Sequence, residues 1–151
     1  MIVVNCPIFH KEFAANGIEE YPLYKSMNFF LLRIGRVFRK FGLPFFHNIN
    51  KNIFLSNDPT CIIFDNGIVD AKNILKYIAS GCKKKRLIFF YWNPVERSVN
   101  PELIPPEFEK WSYSPKDCKL YGMRYNSTFY FEEFYEQYCE EEYDVFFCRK
   151  K

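Results

Sequence analysis

The stretch from Thr60 to Pro94 constrains the fold more than any other part of this chain. An apolar run, Cys61-Ile62-Ile63-Phe64, ends in Asp65-Asn66-Gly67. A helical pattern follows over Val69–Ala79 and closes at Gly81. A second apolar run, Leu87-Ile88-Phe89-Phe90-Tyr91-Trp92, ends in Asn93-Pro94. Strand, polar loop, helix, strand and loop in that order make one βαβ unit. Neither run alternates polar with apolar residues, so each strand is expected to be covered on both faces, as in a parallel sheet. In open α/β sheets the chemistry sits in loops at the carboxyl ends of the strands. Here those loops carry Asp65, Asn66 and Asn93 directly after buried strands.

The rest of the chain extends this pattern. Ile2–Asn5 reads as a first strand, stopped by Pro7 and followed by a polar connection containing Gly17 and Pro22. A helix is expected over Leu23–Phe41, ended by Gly42 with Pro44 beyond. Asn48, Asn50, Asn52 and Asn57 mark a loop, with a short strand at Ile53–Leu55. Pro94–Pro106 holds four prolines and reads as a loop with little regular structure. A short strand is expected at Lys110–Tyr113. Ser114 then caps a short helix opened by Pro115 and stopped at Gly122. Thr128–Phe131 reads as a strand, Glu132–Glu142 as an acidic helix or solvated connection, and Tyr143–Phe147 as the start of one more buried strand. The expected fold is α/β: a three-layer, Rossmann-like, mostly parallel sheet with helices on both faces, in a single domain.

Several function classes recede on composition. At 151 residues the chain is long enough for one domain with a proper core. A net charge of +3 is mild beside the concentrated basic surface that nucleic-acid binding needs, so no nucleic-acid partner is expected. The cysteines Cys6, Cys61, Cys82, Cys118, Cys139 and Cys148 are scattered, without a CxxC pair or a Cys/His cluster, which speaks against zinc. Nothing resembles a metal site or a G-x-G-x-x-G turn, so no cofactor is expected. Cys6 and Cys61 lie in or beside core strands and read as small buried hydrophobes. The start, Met1-Ile2-Val3-Val4-Asn5, lacks the basic and apolar regions of a signal peptide, and no apolar run reaches membrane-spanning length. A reducing cytoplasm fits best, and the Asn126-Ser127-Thr128 sequon then carries no glycan.

Four segments carry a family resemblance: Leu87 through Val95 with its Trp92-Asn93-Pro94, Trp111-Ser112-Tyr113-Ser114-Pro115-Lys116-Asp117-Cys118, Tyr125-Asn126-Ser127-Thr128-Phe129-Tyr130-Phe131, and Tyr143-Asp144-Val145-Phe146-Phe147. In this order the region Thr60 to Phe147 resembles the amino-terminal half of bacterial glycosyltransferases of lipopolysaccharide and capsule assembly. That family shows a strand ending in W-N-P, then W-S-F-D-x-x-D, then N-x-T-F-Y-F. It has Asp where this chain has Ser114, so no carboxylate role is carried to that position. The resemblance implies residues 1–147 as the acceptor-side domain of a two-domain (GT-B) enzyme. Residues 148–151 then stand where a nucleotide-sugar-binding domain is expected, as in a truncated or split chain, so the chain alone would be inactive. The implied partners are a sugar or lipid-linked sugar acceptor and, through the second domain only, a nucleotide-sugar donor. The rival class is a non-catalytic Rossmann-like binding module, since this architecture hosts many functions.

Asp65 is the candidate catalytic residue, as a general base towards an acceptor hydroxyl. Its alternative role is to cap the following helix or to fix the Asn66-Gly67 turn. Asn5, His10, Asn66, Trp92 and Asn93 are the candidate acceptor-binding residues. Amides suit sugar hydroxyls, although Asn93 before Pro94 reads equally as a turn former. His10 is either a base or phosphate contact or a surface histidine without a role. A tryptophan at a strand end either stacks on a sugar ring or joins the core. Trp111 has the same two readings. Asp117 reads as part of an exposed helix start. The 23–41 helix is aromatic along one stripe and basic off it, so it either covers the sheet or docks on an anionic bilayer at the inner face of the membrane. An uncovered terminal strand would favour self-association.

Overall fold

The computed structural model describes residues 1–25, 33–35, 37–38, 41, 49–68 and 70–126. Among these residues the centre is a six-stranded, all-parallel sheet: β1 (Ile2–Val4), β2 (Glu19–Tyr21), β3 (Thr60–Phe64), β4 (Arg86–Tyr91), β5 (Phe108–Ser112) and β6 (Arg124–Tyr125), in the spatial order β2-β1-β3-β4-β5-β6. The helices are α1 (His10–Ala15), α2 (Asn52–Leu55), α3 (Ala71–Gly81) and α4 (Pro115–Tyr121), with 3₁₀ turns at Val95–Arg97 and Pro101–Leu103. The protein has an α/β, Rossmann-like fold.

The sheet separates two cores by the period of two along each strand. Ile2, Val4, Cys61, Ile63, Leu87, Phe89 and Tyr91 face one way and pack with Ile53 of α2 and with Ile74, Leu75 and Ile78 of α3. Val3, Ile62, Phe64, Ile88 and Phe90 face the other way and pack with Phe13 of α1. Both faces of β3 and β4 are therefore buried, which is why their sequences are apolar throughout. The expected helix at 69–79 begins two residues later, at Ala71, because Asp70 takes a left-handed conformation with φ 57°. It also runs through Gly81 instead of stopping there. A Cβ on Gly81 would lie 2.6 Å from the Phe54 ring, so this glycine permits close contact between α2 and α3.

Other expectations are corrected. The polar connection after the first strand contains α1 and β2. Only Phe13 of α1 is buried, and β2 is a three-residue edge strand bearing two glutamates, so neither carries a periodic apolar signal. The expected strand at Ile53–Leu55 is a helical turn, α2, with Ile53 in the core and Leu55 exposed. Leu23 and Tyr24 are not helical: Leu23 is buried at a bend, and Tyr24 bridges Ile49. Helical turns are described at 33–35 and 37–38, Phe41 lies in a turn, and residues 26–32, 36 and 39–40 of the expected 23–41 helix lie outside the described residues. The strand at Thr128–Phe131, the acidic run and the Tyr143–Phe147 strand also lie outside them. Among the described residues no helix is long and apolar enough to cross a membrane.

Candidate functional site at the carboxyl edge of the sheet

Strand order fixes where a site belongs. From β1 the chain moves outward to β2, then returns to β3 on the other side and continues to β6. Helices must therefore lie on opposite faces either side of the β1/β3 boundary, and a crevice opens there outside the carboxyl ends of the strands. Val4 pairs with Ile63, and Phe64 with Phe90, so Asn5, Asp65 and Asn93 leave the sheet at this one edge. The Asn5 side-chain amide donates to the Asn66 carbonyl and ties the two loops together across the switch point.

The backbone is strained at the same place. Non-glycine residues with positive φ among the described residues are Asn5 (62°), Phe9 (67°) and Asp70 (57°), all in the β1–α1 and β3–α3 loops. Gly67 (62°) joins them. Asn and Asp tolerate this region, but Phe9 has no local compensation in its side chain. Strain of about 1–3 kcal/mol per residue persists only where surrounding structure imposes it, and it gathers at functional sites.

Asp65 is 4% exposed, and each of its oxygens is engaged. Oδ1 accepts the Trp92 amide at 3.0 Å; Oδ2 accepts the Asn93 amide at 3.2 Å and the Ser98 hydroxyl at 2.6 Å. The Asn93 side-chain amide sits 3.5 Å from both oxygens. Asp65 thus clasps the turn after β4; it does not cap α3, which has no side-chain cap. On the far side of that turn, Asp117 is 5% exposed and accepts the Val95 amide at 3.1 Å. The expectation of an exposed Asp117 is corrected: two buried carboxylates, one directly after β3 and one from α4, hold the Trp92–Ser98 segment between them.

Trp92 is half-buried in an aromatic cluster. Its ring meets Phe9 edge-on at 6.0 Å and lies tilted against Phe64, Phe90 and Tyr113 at 6.2, 6.3 and 6.5 Å. Asn66 is exposed at the rim. His10 opens α1, and its Nδ1 lies 2.7 Å from Glu20 of β2, away from the Asp65 crevice. Trp111 lies within β5 and not at the edge; its Nε1 donates to Glu109 and the Arg86 guanidinium covers its ring at 5.6 Å. A hollow of about 630 Å³ adjoins this edge between the β3–α3 loop and the 97–103 segment, lined by Asp65, Gly67, Lys72, Arg97, Ser98 and Asn100, among others; Asn5, Asn66, Trp92 and Asn93 are not part of its lining.

Cys6, next to Asn5, is buried; burial pushes its thiol up to about 11, and its Sγ donates to the Ile8 carbonyl. Among the described residues no group of three or more His, Cys, Asp or Glu is placed to hold a metal ion. Sequence reasoning missed Ser98 and Arg97, which sit in a proline-rich stretch without periodicity. It also missed Phe9, whose left-handed backbone has no sequence signature. Comparison with protein-family models, with curated proteins and with solved structures finds no match to this chain.

Proposed function

We propose that this chain is the acceptor-binding, Rossmann-like domain of a glycosyltransferase that assembles bacterial surface polysaccharide. The observation that carries this is the gathering of Asn5, Asn66, Asn93 and Trp92 at the β1/β3–β4 carboxyl edge, in loops tied by the Asn5–Asn66 hydrogen bond. Amides to pair with hydroxyls beside an aromatic ring suit a carbohydrate. The four-segment resemblance over Thr60–Phe147 supports the same class. These residues are assigned acceptor recognition and not donor binding. Asp65 remains the candidate base. Its short bond from the Ser98 hydroxyl is the contact that an acceptor hydroxyl would make in its place.

A non-catalytic binding module is the second reading, favoured by the saturation of Asp65 with donors. Titration of the full chain with oligosaccharides of bacterial surface polysaccharides, followed by amide chemical shifts, tests the site. Shifts are expected at Asn5, Asn66 and Asn93, and none with Asn66→Ala. Shifts confined to the opposite sheet edge would refute the assignment. With a donor domain supplied in trans, Asp65→Asn separates the two readings. A fall in turnover of about a hundredfold at unchanged acceptor affinity marks a base, whereas a lowered melting temperature alone marks a clasp.

A further inference from the structure

Charge is unevenly spread on this molecule. The whole chain carries +3, yet residues 71–86 hold Lys72, Lys76, Lys83, Lys84, Lys85 and Arg86 with no Asp or Glu. A solvated helix normally mixes both signs at i, i+4 spacing, but α3 bears lysines alone. Cations after a helix carboxyl end offset its dipole, which accounts for one or two of them and not for Lys76. Arg86 is committed to Glu109, and the Lys85 ammonium donates to the Ser56 and Asp58 carbonyls. Lys76, Lys83 and Lys84 are exposed and make no ion pair among the described residues.

These lysines surround concave ground. One hollow of about 550 Å³ is lined by Lys76, Lys83 and Lys85 with Ser80, Pro105 and Glu107. A second, of about 470 Å³, is lined by Lys83, Lys84 and Lys85 with Ser56, Asp58 and Ser80; the Asp58 carboxylate is paired with the amino-terminal ammonium of Met1. The two share Ser80, Cys82, Lys83 and Lys85 and so adjoin. They lie where α3 ends and β4 begins, at the amino edge of the sheet, opposite the carboxyl-edge crevice. An ammonium binds phosphate as a compact point charge with three donors. A bilayer or a duplex presents a broad surface that would meet only the rims. Adjoining hollows that share the Lys83 ammonium suit a small ligand with linked phosphates.

We propose that the adjoining amino-edge hollows form a binding site for a soluble ligand bearing two linked phosphate groups, seated on the lining that the two hollows share. Lys83, common to both hollows, is the central contact, Lys76 and Lys84 flank it, and Glu107 and Asp58 oppose the ligand. Calorimetric titration of the full chain with pyrophosphate and with orthophosphate, at one ionic strength, tests this. Pyrophosphate is expected to bind more tightly than orthophosphate. Lys83→Gln is expected to weaken it about tenfold and Lys76→Gln by less. Glu107→Gln is expected to tighten it. Lys116→Gln, at the other edge and paired with Glu96, is expected to leave it unchanged. All four positions are exposed, and unchanged melting temperatures confirm that the variants fold. Equal affinity for the two anions, or equal losses in Lys83→Gln and Lys116→Gln, would overturn the site. Binding to phosphatidylglycerol vesicles without binding to pyrophosphate would also overturn it, and would make the patch a lipid-docking surface.

Discussion

At the scale of single residues, Asp65 and Asp117 do work that their positions in the sequence half conceal. A carboxylate directly after an apolar strand reads equally as a base, a cap or a turn former. The fold gives Asp65 the Trp92 and Asn93 amides and the Ser98 hydroxyl, and gives Asp117 the Val95 amide. These partners lie 22 to 33 residues away, so no local pattern announces them. Replacing Asp65 by Asn keeps the volume and turns one acceptor into a donor facing backbone N–H groups. One amide is left buried and unpaired, at a cost of about 1–3 kcal/mol. The urea midpoint of Asp65→Asn is expected to fall accordingly. A midpoint equal to wild type would show that the clasp is dispensable.

At the scale of elements, local signals held where the chain decides alone. Ser114 accepts the Asp117 amide, Pro115 opens α4, and Gly122 ends it at φ 63°. All three were legible from residue type, because capping is chemistry within one turn. α1, β2 and β6 were not legible, because each is short and largely exposed and draws its hydrogen bonds or packing from neighbours remote in sequence. The outer ladder β4-β5-β6 shows a contribution of another kind. Glu109 accepts from Arg86 at 2.6 and 2.9 Å and pairs with Arg124 at 3.1 Å. The Arg86 hydrogen bond, aided by Trp111 and the Arg124 charge, pulls its carboxyl down from 4.5 to about 2. A depressed folded-state value means that the stabilisation is present above the ordinary value of 4.5 and is lost as pH falls through about 2. Wild type is therefore expected to exceed Glu109→Gln in denaturant midpoint near neutrality, with the gap closing below pH 4.5. A gap independent of pH would remove the ion pairs from the account. Glu109 is only lightly buried, and added salt should narrow the gap too.

At the scale of the whole molecule, cover decides which parts open first. β3 and β4 are buried on both faces and flanked on both sides, whereas β2 and β6 lie at the ends of the sheet. Opening β2 or β6 exposes little apolar area, and opening β3 exposes both cores. Native-state hydrogen exchange is expected to be slowest at the amides of Ile62, Ile63, Ile88 and Phe89. It is expected to be fastest, among strand residues, at Glu20 and Arg124. Comparable protection of β2 and β3 would mean that the sheet opens as one unit. The carboxyl-edge crevice is set between these regimes: its floor is the end of β3 and β4, and its rim is loop.

By itself the sequence determined the fold class and the direction of the central strands. Two apolar runs without alternation, joined by one helix length, can bury their side chains only inside a parallel sheet covered on both faces. It also determined that Asp65, Asn66 and Asn93 would follow those strands, since a parallel sheet sends every carboxyl end to one edge. Tertiary structure decided the strand order, and with it the switch point between β1 and β3 that sets Asn5 beside Asn66. It decided that Phe9 and Asp70 take left-handed backbones, and that Asp65 faces donors from Trp92, Asn93 and Ser98 in place of open solvent. It also assembled the lysine hollows from α3, the α3–β4 turn and the Pro105–Glu107 segment. Burial and hydrogen bonding are satisfied by whichever groups the folded chain brings within a few ångströms, and proximity of that kind is a property of the packed sheet and not of any stretch of sequence.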